Sequence, residues 1–317
     1  MLPGRWQALT IESEALRGNP LGDPAERPLY VWAPPEQTRP LPALFVLHGM
    51  TGQARAWFNV SPVARNLPEE IDALGLDAIV VLVDGWTALG GSQWVDSRAI
   101  GRYGTYLCED VVRFVDERFD VSARALAGRS SGGFGAMLWG LRRPDLFAGF
   151  ATHAGDALFE VVYPPEFAAA AQALRNGYDG SSERFWADFN SGRRVFENRT
   201  DPLLQSVTAA AAAFSDGELP FRVETGELLA EVWARWLEWD PVRLVPRHAD
   251  AVRAARAIWI DAGRTDEYFL DLAATAFAEA ARAAGARGVA FELHDGGHRG
   301  TNWRLPLSLA FLAEQLA

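Results

Sequence analysis

Lysine is absent from this sequence, and cysteine and histidine are scarce. The 317 residues include one Cys and five His, and all 30 basic residues are arginine. The single cysteine, Cys108, excludes an intrachain disulfide framework and a metal site built from several cysteines. No apolar run approaches the ~20 residues of a membrane helix, and residues 1–18 lack the apolar segment of a signal peptide. We therefore expect a cytoplasmic protein that binds no membrane and no metal.

Positive charge is also in the minority. The 41 acidic residues outnumber the basic ones and give a net charge of −11. Such a chain repels phosphate backbones, so no nucleic acid partner is expected. Hydrophobic residues make up 49% of the chain and charged residues 22%, proportions of a globular protein that exclude a disordered or fibrous one.

Short apolar segments alternate with helix-like segments along most of the chain. The segments that read as buried strands are 43–47, 78–83, 125–127, 147–152, 257–260 and 289–293. This alternation predicts an α/β fold with a mostly parallel central sheet and helices on both faces. Two earlier segments, 9–14 and 29–33, precede any helix and predict an antiparallel pair at one edge of the sheet.

The segment 157–245 interrupts the alternation, because it contains no clear strand. It contains alanine-rich stretches and an amphipathic run that places Val232, Trp233 and Trp236 on one face. We interpret it as a helical cap inserted into a single α/β domain that spans residues 1–317.

A G-x-S-x-G motif occupies residues 128–132, between a short strand and a helix-like segment. A strand, a sharp turn and a helix are the setting of a nucleophile elbow, whose glycines make room for the turn. The bare motif is weak, and the alternative is a glycine-rich turn without chemistry. The setting favours Ser130 as a nucleophile.

A serine nucleophile needs a base to take its proton. The order nucleophile, acid, histidine along the chain leaves His248, His294 and His298 as candidates. His298 follows the last predicted strand in a glycine-rich loop, at the carboxyl end of the sheet, where such sites lie. We therefore interpret His298 as the base and the other two as structural histidines.

The base needs an acid that orients it, and three carboxylates follow the predicted strand 257–260. Asp261 lies at the strand end, whereas Asp266 is carried out on the loop beyond Gly263. Asp266 is favoured for this reason, and Glu267 is the alternative one residue further along. A competing role for Asp266 is to cap the following helix.

Backbone amides are expected to bind the oxyanion of the reaction intermediate. One is the amide of Ser131, and the other is the amide of Met50 in the loop 47–52. His48 is expected to hold this loop. Further candidates line a substrate pocket: Trp86, Trp94, Arg129, Tyr163 and Trp303.

Together these segments resemble one esterase family of α/β-hydrolases, which includes feruloyl and acetyl-xylan esterases, S-formylglutathione hydrolases, mycolyltransferases and enterochelin esterases. The resemblance begins near residue 29 and is carried by LFVLHGMTG (44–52), GGSQWVDS (90–97), GRYGTYL (101–107), AGRSSGGFGAM (127–137), IWIDAGRTDEYFLD (258–271) and HDGGHRGTNW (294–303). By position it assigns Ser130, Asp266 and His298 as the catalytic triad and the Met50 and Ser131 amides as the oxyanion hole. The likeness is greatest to the enterochelin-esterase-like and feruloyl-esterase-like branch.

The residues and the resemblance together predict a serine carboxylesterase with the α/β-hydrolase fold. Its expected substrates are small to medium acyl esters or aromatic esters, and no cofactor is implied. The alternatives are a siderophore esterase or an acyltransferase of the same family, and, from a different class, a non-catalytic binding protein. The sequence is compatible with a homo-oligomer as well as with a monomer.

Overall fold

Eight strands of the described chain form one sheet, and two short strands form another. The computed structural model describes residues 5–192 and 197–317. The strands are β1 (Trp6–Glu12), β2 (Glu26–Trp32), β3 (Leu41–Leu47), β4 (Ile79–Val83), β5 (Asp96–Ser97), β6 (Gly101–Arg102), β7 (Val121–Arg129), β8 (Gly149–His153), β9 (Ala257–Gly263) and β10 (Val289–His294). The order in the main sheet is β1-β2-β4-β3-β7-β8-β9-β10, and the short strands β5 and β6 pair with each other outside it.

The α-helices lie on both faces of the sheet and in the segment between β8 and β9. They are α1 (Leu67–Leu74), α2 (Tyr103–Thr105), α3 (Val112–Asp116), α4 (Ser131–Arg142), α5 (Phe159–Val162), α6 (Pro164–Tyr178), α7 (Ser182–Phe189), α8 (Asp201–Ser215), α9 (Ala230–Leu237), α10 (Pro241–Leu244), α11 (Ala249–Ala254), α12 (Leu270–Ala283) and α13 (Arg304–Leu316). A π-helical turn joins α2 to α3. In the described residues, no helix is long and apolar enough to cross a membrane.

The central strands are apolar on both faces because helices cover both. In β3, Leu44 and Val46 belong to a core that includes residues of α1 and α13. Phe45 and Leu47 point the other way, into a core that includes residues of α4 and α12. Continuous burial of this kind is typical of parallel sheets, and it confirms the predicted α/β architecture.

The sheet is parallel from β4 to β10 and antiparallel at its other edge. β2 pairs with both β1 and β4 in antiparallel register, and Leu9 lies opposite Leu29. The pair predicted at residues 9–14 and 29–33 is therefore present, with both strands beginning three residues earlier. Because the parallel strands share one direction, their carboxyl ends meet at one edge, where their loops come together.

The described part of the segment 157–245 is mostly helical, with one isolated β-bridge between Phe221 and Leu228, and it shares a core with the sheet. The Phe134 ring of α4 lies 5.9 Å from the Phe159 ring and 5.5 Å from the Phe214 ring, both in this segment. These side chains belong to the same apolar cluster as one face of the sheet. The role of this segment as a cap stays a prediction, and its residues 193–196 lie outside the described part of the chain.

Candidate active site

Ser130 occupies the sharp turn between β7 and α4. Its backbone has φ of 56° and ψ of −126°, a conformation that non-glycine residues rarely adopt. A Cβ at Gly128 would lie 2.2 Å from the Gly132 carbonyl oxygen, and one at Gly132 would lie 2.1 Å from that of Leu47. The glycines are therefore required by close backbone approach, as in a nucleophile elbow. The turn is held further because the Ser130 amide donates to the His153 carbonyl at 2.9 Å.

His298 and Asp266 form a buried hydrogen-bonded pair. The distance between His298 Nδ1 and Asp266 Oδ2 is 2.9 Å. The other oxygen of Asp266 accepts from the Tyr268 amide at 2.9 Å, and the Tyr268 ring packs edge-on against the imidazole at 5.0 Å. Because Asp266 takes Nδ1, the nitrogen left for proton transfer is Nε2. Within the described residues, no hydrogen bond of 3.5 Å or less joins Ser130 Oγ to this ring.

The two alternative acids have other partners. Glu267 Oε2 accepts from the main-chain amide of His298 at 2.7 Å, so it contacts the backbone of the histidine and not its ring. Asp261 bonds to His153, at a Nδ1–Oδ1 distance of 2.8 Å. Asp266 is thus the carboxylate that the structure brings to the His298 ring.

The loop after β3 lies against the serine turn. A Cβ at Gly49 would lie 3.2 Å from the Ser130 Cβ. Ser131 is the first residue of α4, so its amide has no acceptor within the helix. The Met50 amide donates no hydrogen bond within the described residues. Neither amide has an acceptor within the described residues; Ser131 directly follows Ser130, and Met50 directly follows Gly49 in the neighbouring loop.

His48 holds this loop, as predicted. Its Nε2 accepts from the Gly85 amide at 2.9 Å, so the proton of the neutral ring lies on Nδ1, which donates to the Gly49 carbonyl at 2.9 Å. Burial lowers the pKa of His48, against the opposing charge of Asp84. Because both nitrogens of this neutral ring are hydrogen-bonded, His48 stabilises the loop and does not transfer protons.

A second Ser-His-Asp constellation lies in the core, and sequence reasoning missed it. His153 Nε2 is 2.7 Å from Ser308 Oγ, while its Nδ1 bonds to Asp261. All three side chains are buried, and Ser308 lies within α13, where its hydroxyl donates to the Leu305 carbonyl. A serine inside a helix has no elbow and no access for a substrate. No sequence motif reveals this set, because its residues lie in β8, β9 and α13, which come together only in the folded protein.

Asp261 is the centre of that buried network. Its Oδ2 accepts from Trp259 Nε1 at 2.8 Å and from Arg304 Nε at 2.9 Å. Burial alone raises the pKa of Asp261, but the charge and hydrogen bond of His153, with the Trp259 and Arg304 bonds, bring it below the usual value. The network fastens α13 to the sheet beneath the site.

Strained backbone is concentrated in the loops at the carboxyl edge of the sheet. Besides Ser130, the residues there with positive φ that are not glycine are Thr51, Gln93, Trp94, Ala154, Leu158 and Phe269. Such conformations cost on the order of 1–3 kcal/mol each and persist where the surroundings hold them, often at functional sites. Their positions therefore support a site at this edge.

Two carboxyl groups with raised pKa values interact with each other, and one of them, Asp156, also interacts with the charge of His298. Burial raises the pKa of Asp156 to about 6, although the charge of His298 and a hydrogen bond from Tyr163, 3.4 Å long, act in the other direction. Burial likewise raises the pKa of Glu166 to about 7, with a 3.4 Å bond from Ser206 opposing it. Glu166 lies in α6 of the helical segment, so no sequence pattern relates it to the site. Strongly shifted carboxyl groups of this kind mark functional sites.

Asp156→Asn should stabilise the protein at pH 8. The raised pKa means that the folded chain holds a proton that the unfolded chain has released, so the wild type loses stability as the pH rises from about 4 to about 6. Asparagine does not ionise, and the gain should reach about 2–3 kcal/mol above pH 6 and vanish near pH 4. Urea unfolding at both pH values measures it. Asp250→Asn, at a side chain that is 98% exposed, should show no such dependence; an equal change in both variants would contradict the burial of Asp156.

The three tryptophans predicted to line the pocket differ in exposure and in their contacts. Trp94 is 1% exposed and its Nε1 donates to the His48 carbonyl, so it supports the loop and offers no ring surface to a substrate. Trp303 is 56% exposed and its ring lies near His294, 6.1 Å away. The Trp86 side chain is half-buried, and its carbonyl accepts from Arg27 at 2.9 Å.

The other two pocket candidates are linked to His298 in different ways. Tyr163 is buried, and its hydroxyl lies 3.4 Å from Asp156, whose carboxyl group interacts with the charge of His298. Arg129 donates through Nη2 to the main-chain carbonyl of His298 and through Nε to Thr301 Oγ1 at 3.0 Å.

Within residues 5–192 and 197–317, no group of three or more His, Cys, Asp or Glu side chains could hold a metal ion.

Comparison with known proteins decides the family. The profile of a family described as "Putative esterase" matches residues 24–312, which is most of the chain. The chain belongs to this esterase family. The family resemblance of its motifs is thereby confirmed.

Solved structures show the same fold. This esterase superposes on a ferulic acid esterase with a TM-score of 0.60, 19% identity and coverage of 98% of each chain. An S-formylglutathione hydrolase from Agrobacterium tumefaciens gives 0.59 and 19%, covering 100% of this chain and 97% of that one. A fluorophosphonate-binding serine hydrolase of Staphylococcus aureus gives 0.57 and 17%, covering 99% and 98%. At such identities the likeness shows the α/β-hydrolase fold and no substrate.

One curated relative is an uncharacterised protein of Corynebacterium glutamicum, 26% identical over 201 residues. The match covers 60% of this esterase and 43% of the relative, so the chain spans under half the length of that protein.

Proposed function

We propose that this esterase is a serine carboxylesterase that works through an acyl-enzyme formed on Ser130. The observation that carries the proposal is the combination of a strained serine turn with the buried His298–Asp266 pair at the same edge of the sheet. The second Ser-His-Asp set cannot take this role, because its serine is buried in a helix. A non-catalytic binding protein would not need to maintain strain at Ser130.

In the proposed reaction each of these groups has one role. Ser130 Oγ attacks the ester carbonyl carbon, and its proton passes to His298 Nε2. Asp266 keeps the imidazole in the tautomer with Nδ1–H and stabilises the imidazolium. The Met50 and Ser131 amides donate to the oxyanion. When the carbon–oxygen bond to the alcohol breaks, His298 returns the proton to the alcohol; a water activated by His298 then releases the acid.

The charge around His298 bears on the substrate class. Asp156 contributes a carboxyl group near the base, and the chain carries a net charge of −11. A highly anionic ferric siderophore would be repelled by both. Uncharged acyl and aromatic esters therefore suit the site better than the siderophore alternative does.

A panel of p-nitrophenyl esters from acetate to palmitate tests the proposed substrate size. The helices of segment 157–245 share the core beside the site, and we expect them to limit the acyl pocket. The value of kcat/KM should rise with chain length by up to about fourfold per methylene, from ~0.8 kcal/mol of burial each, peak at short or medium length and then fall. A steady rise through palmitate would contradict an enclosed pocket. Feruloyl esters and a ferric-catecholate ester complete the panel, and highest efficiency on the latter would favour the siderophore esterase.

Acyl transfer is separated from hydrolysis by the product. Hydrolysis of a p-nitrophenyl ester in the presence of an added alcohol should give mainly the free acid. A dominant ester of the added alcohol would instead identify an acyltransferase, in which that alcohol replaces water in the second step.

A further inference from the structure

The loop that carries His298 has little conformational restraint of its own. Residues 295–300 include three glycines, of which Gly296 has φ of 119° and Gly300 has φ of 73°. Glycine loses more backbone freedom on ordering than any other residue. Contacts from outside the loop must therefore fix the position of the imidazole.

Both main-chain groups of His298 are bonded by side chains from neighbouring loops. Its amide donates to Glu267 Oε2 at 2.7 Å, which ties it to the loop that also carries Asp266. Its carbonyl accepts from Arg129 Nη2, which ties it to the residue that precedes Ser130. Glu267 thus joins the base to the acid loop, and Arg129 joins the base to the serine turn.

The Arg129 guanidinium makes two bonds to the histidine loop. Besides the His298 carbonyl, it reaches Thr301 Oγ1 with Nε at 3.0 Å. Thr301 is 8% exposed, and its own hydroxyl is 3.4 Å from the same carbonyl. Planar guanidinium donors with fixed directions hold two acceptors in one geometry, which a lysine ammonium does not do.

We infer that Arg129 is a positioning residue that sets the separation between Ser130 and His298. The inference rests on the proposed function, since it assigns the distance between the two reacting groups. Arg129 ends β7 and is covalently next to Ser130, so the same short stretch of backbone fixes the serine and anchors the base. Arg129 bonds through Nε and Nη2 to the loop that carries the base, and it acts on the reaction through His298.

Arg129→Met should lower kcat by on the order of 10–100-fold, because misplacement of a reacting group by about 1 Å costs as much as 10²-fold. KM should stay within about threefold, since substrate contacts are retained. Arg129→Lys keeps the charge but cannot reproduce both bonds, so it should restore less than a third of the lost kcat. Thr301→Val removes the Nε acceptor and the 3.4 Å bond of the Thr301 hydroxyl to the His298 carbonyl, and it leaves the bond from Arg129 Nη2 in place. It should give an intermediate loss, and it tests the inference if Arg129→Met does not fold.

Arg142→Met is the matched control. Arg142 is partly buried, and burial lowers the pKa of both arginines; it also donates to a main-chain carbonyl, that of Glu238 at 3.3 Å. It lies at the far end of α4, and its variant should keep wild-type kcat at a similar thermal midpoint.

Stoichiometry of fluorophosphonate labelling separates this inference from the proposed function. Arg129→Met should still label at one site per chain, only more slowly. Unchanged kcat in Arg129→Met and Thr301→Val, full restoration by lysine, or an equal loss in Arg142→Met would each overturn the positioning role. Failure of the wild type to hydrolyse esters would overturn the proposed function itself.

Discussion

Ser130→Ala should lower kcat for ester hydrolysis by a factor of ~10⁴ or more, because no acyl-enzyme can form without the hydroxyl. The thermal midpoint should stay close to that of the wild type. Ser130 Oγ makes no hydrogen bond within the described residues, so its removal leaves no buried partner unsatisfied. Steady-state kinetics with a p-nitrophenyl ester and thermal unfolding of both proteins measure the two quantities.

Ser308→Ala is the control that the structure offers for this result. Ser308 belongs to the buried set with His153 and Asp261, and its hydroxyl bonds at 2.7 Å to the histidine. Its loss should lower the thermal midpoint, since a buried nitrogen loses its partner, and should leave kcat within a few-fold of the wild type. Retained activity in Ser130→Ala would show that Ser130 is not the nucleophile. Loss of activity in Ser308→Ala without loss of stability would show the same.

Asp266→Asn should lower kcat by a factor of about 10³–10⁴. An asparagine amide presents a donor or a weaker acceptor to His298 Nδ1, so it favours the wrong tautomer and does not stabilise the imidazolium. The side chain keeps its size, and the oxygen that accepts from the Tyr268 amide can remain. The fold should therefore be retained, and the defect should appear in kcat with little change in KM.

Glu267→Gln is the matched variant on the same loop. A glutamine oxygen can still accept from the His298 amide, which is the only bond that Glu267 makes to the histidine. The loss of kcat should be below about tenfold, because the ring partner is unchanged. A larger loss in Glu267→Gln than in Asp266→Asn would show that the neighbouring carboxylate is the functional acid.

Much of this site follows from the sequence because its elements are local. The elbow depends on Gly128 and Gly132 within one turn, and the loops that carry Asp266 and His298 each follow a recognisable strand. The order of these strands in a parallel sheet brings the loops to one edge. The choice of Asp266 over Glu267 depended on loop geometry, and the structure places its carboxylate on the imidazole.

The remaining features depend on contacts between distant segments. The bond between His153 and Ser308 joins residues 155 positions apart, so the second Ser-His-Asp set leaves no motif. Glu166 approaches Asp156 only through the packing of the helical segment, whose alanine-rich pattern specifies helices but not their placement. The loop position of Trp94 predicts a pocket residue, yet close contact with Gly85 and Gly135 buries its ring.

Labelling with a fluorophosphonate probe, followed by peptide mass mapping, tests the central claim most directly. The probe reacts with a serine hydroxyl only where a base activates it. The proposed mechanism predicts one adduct per chain, on Ser130, with loss of ester hydrolysis in proportion to labelling. An adduct on another residue, or full ester hydrolysis by protein that carries no adduct after exposure to the probe, would contradict it.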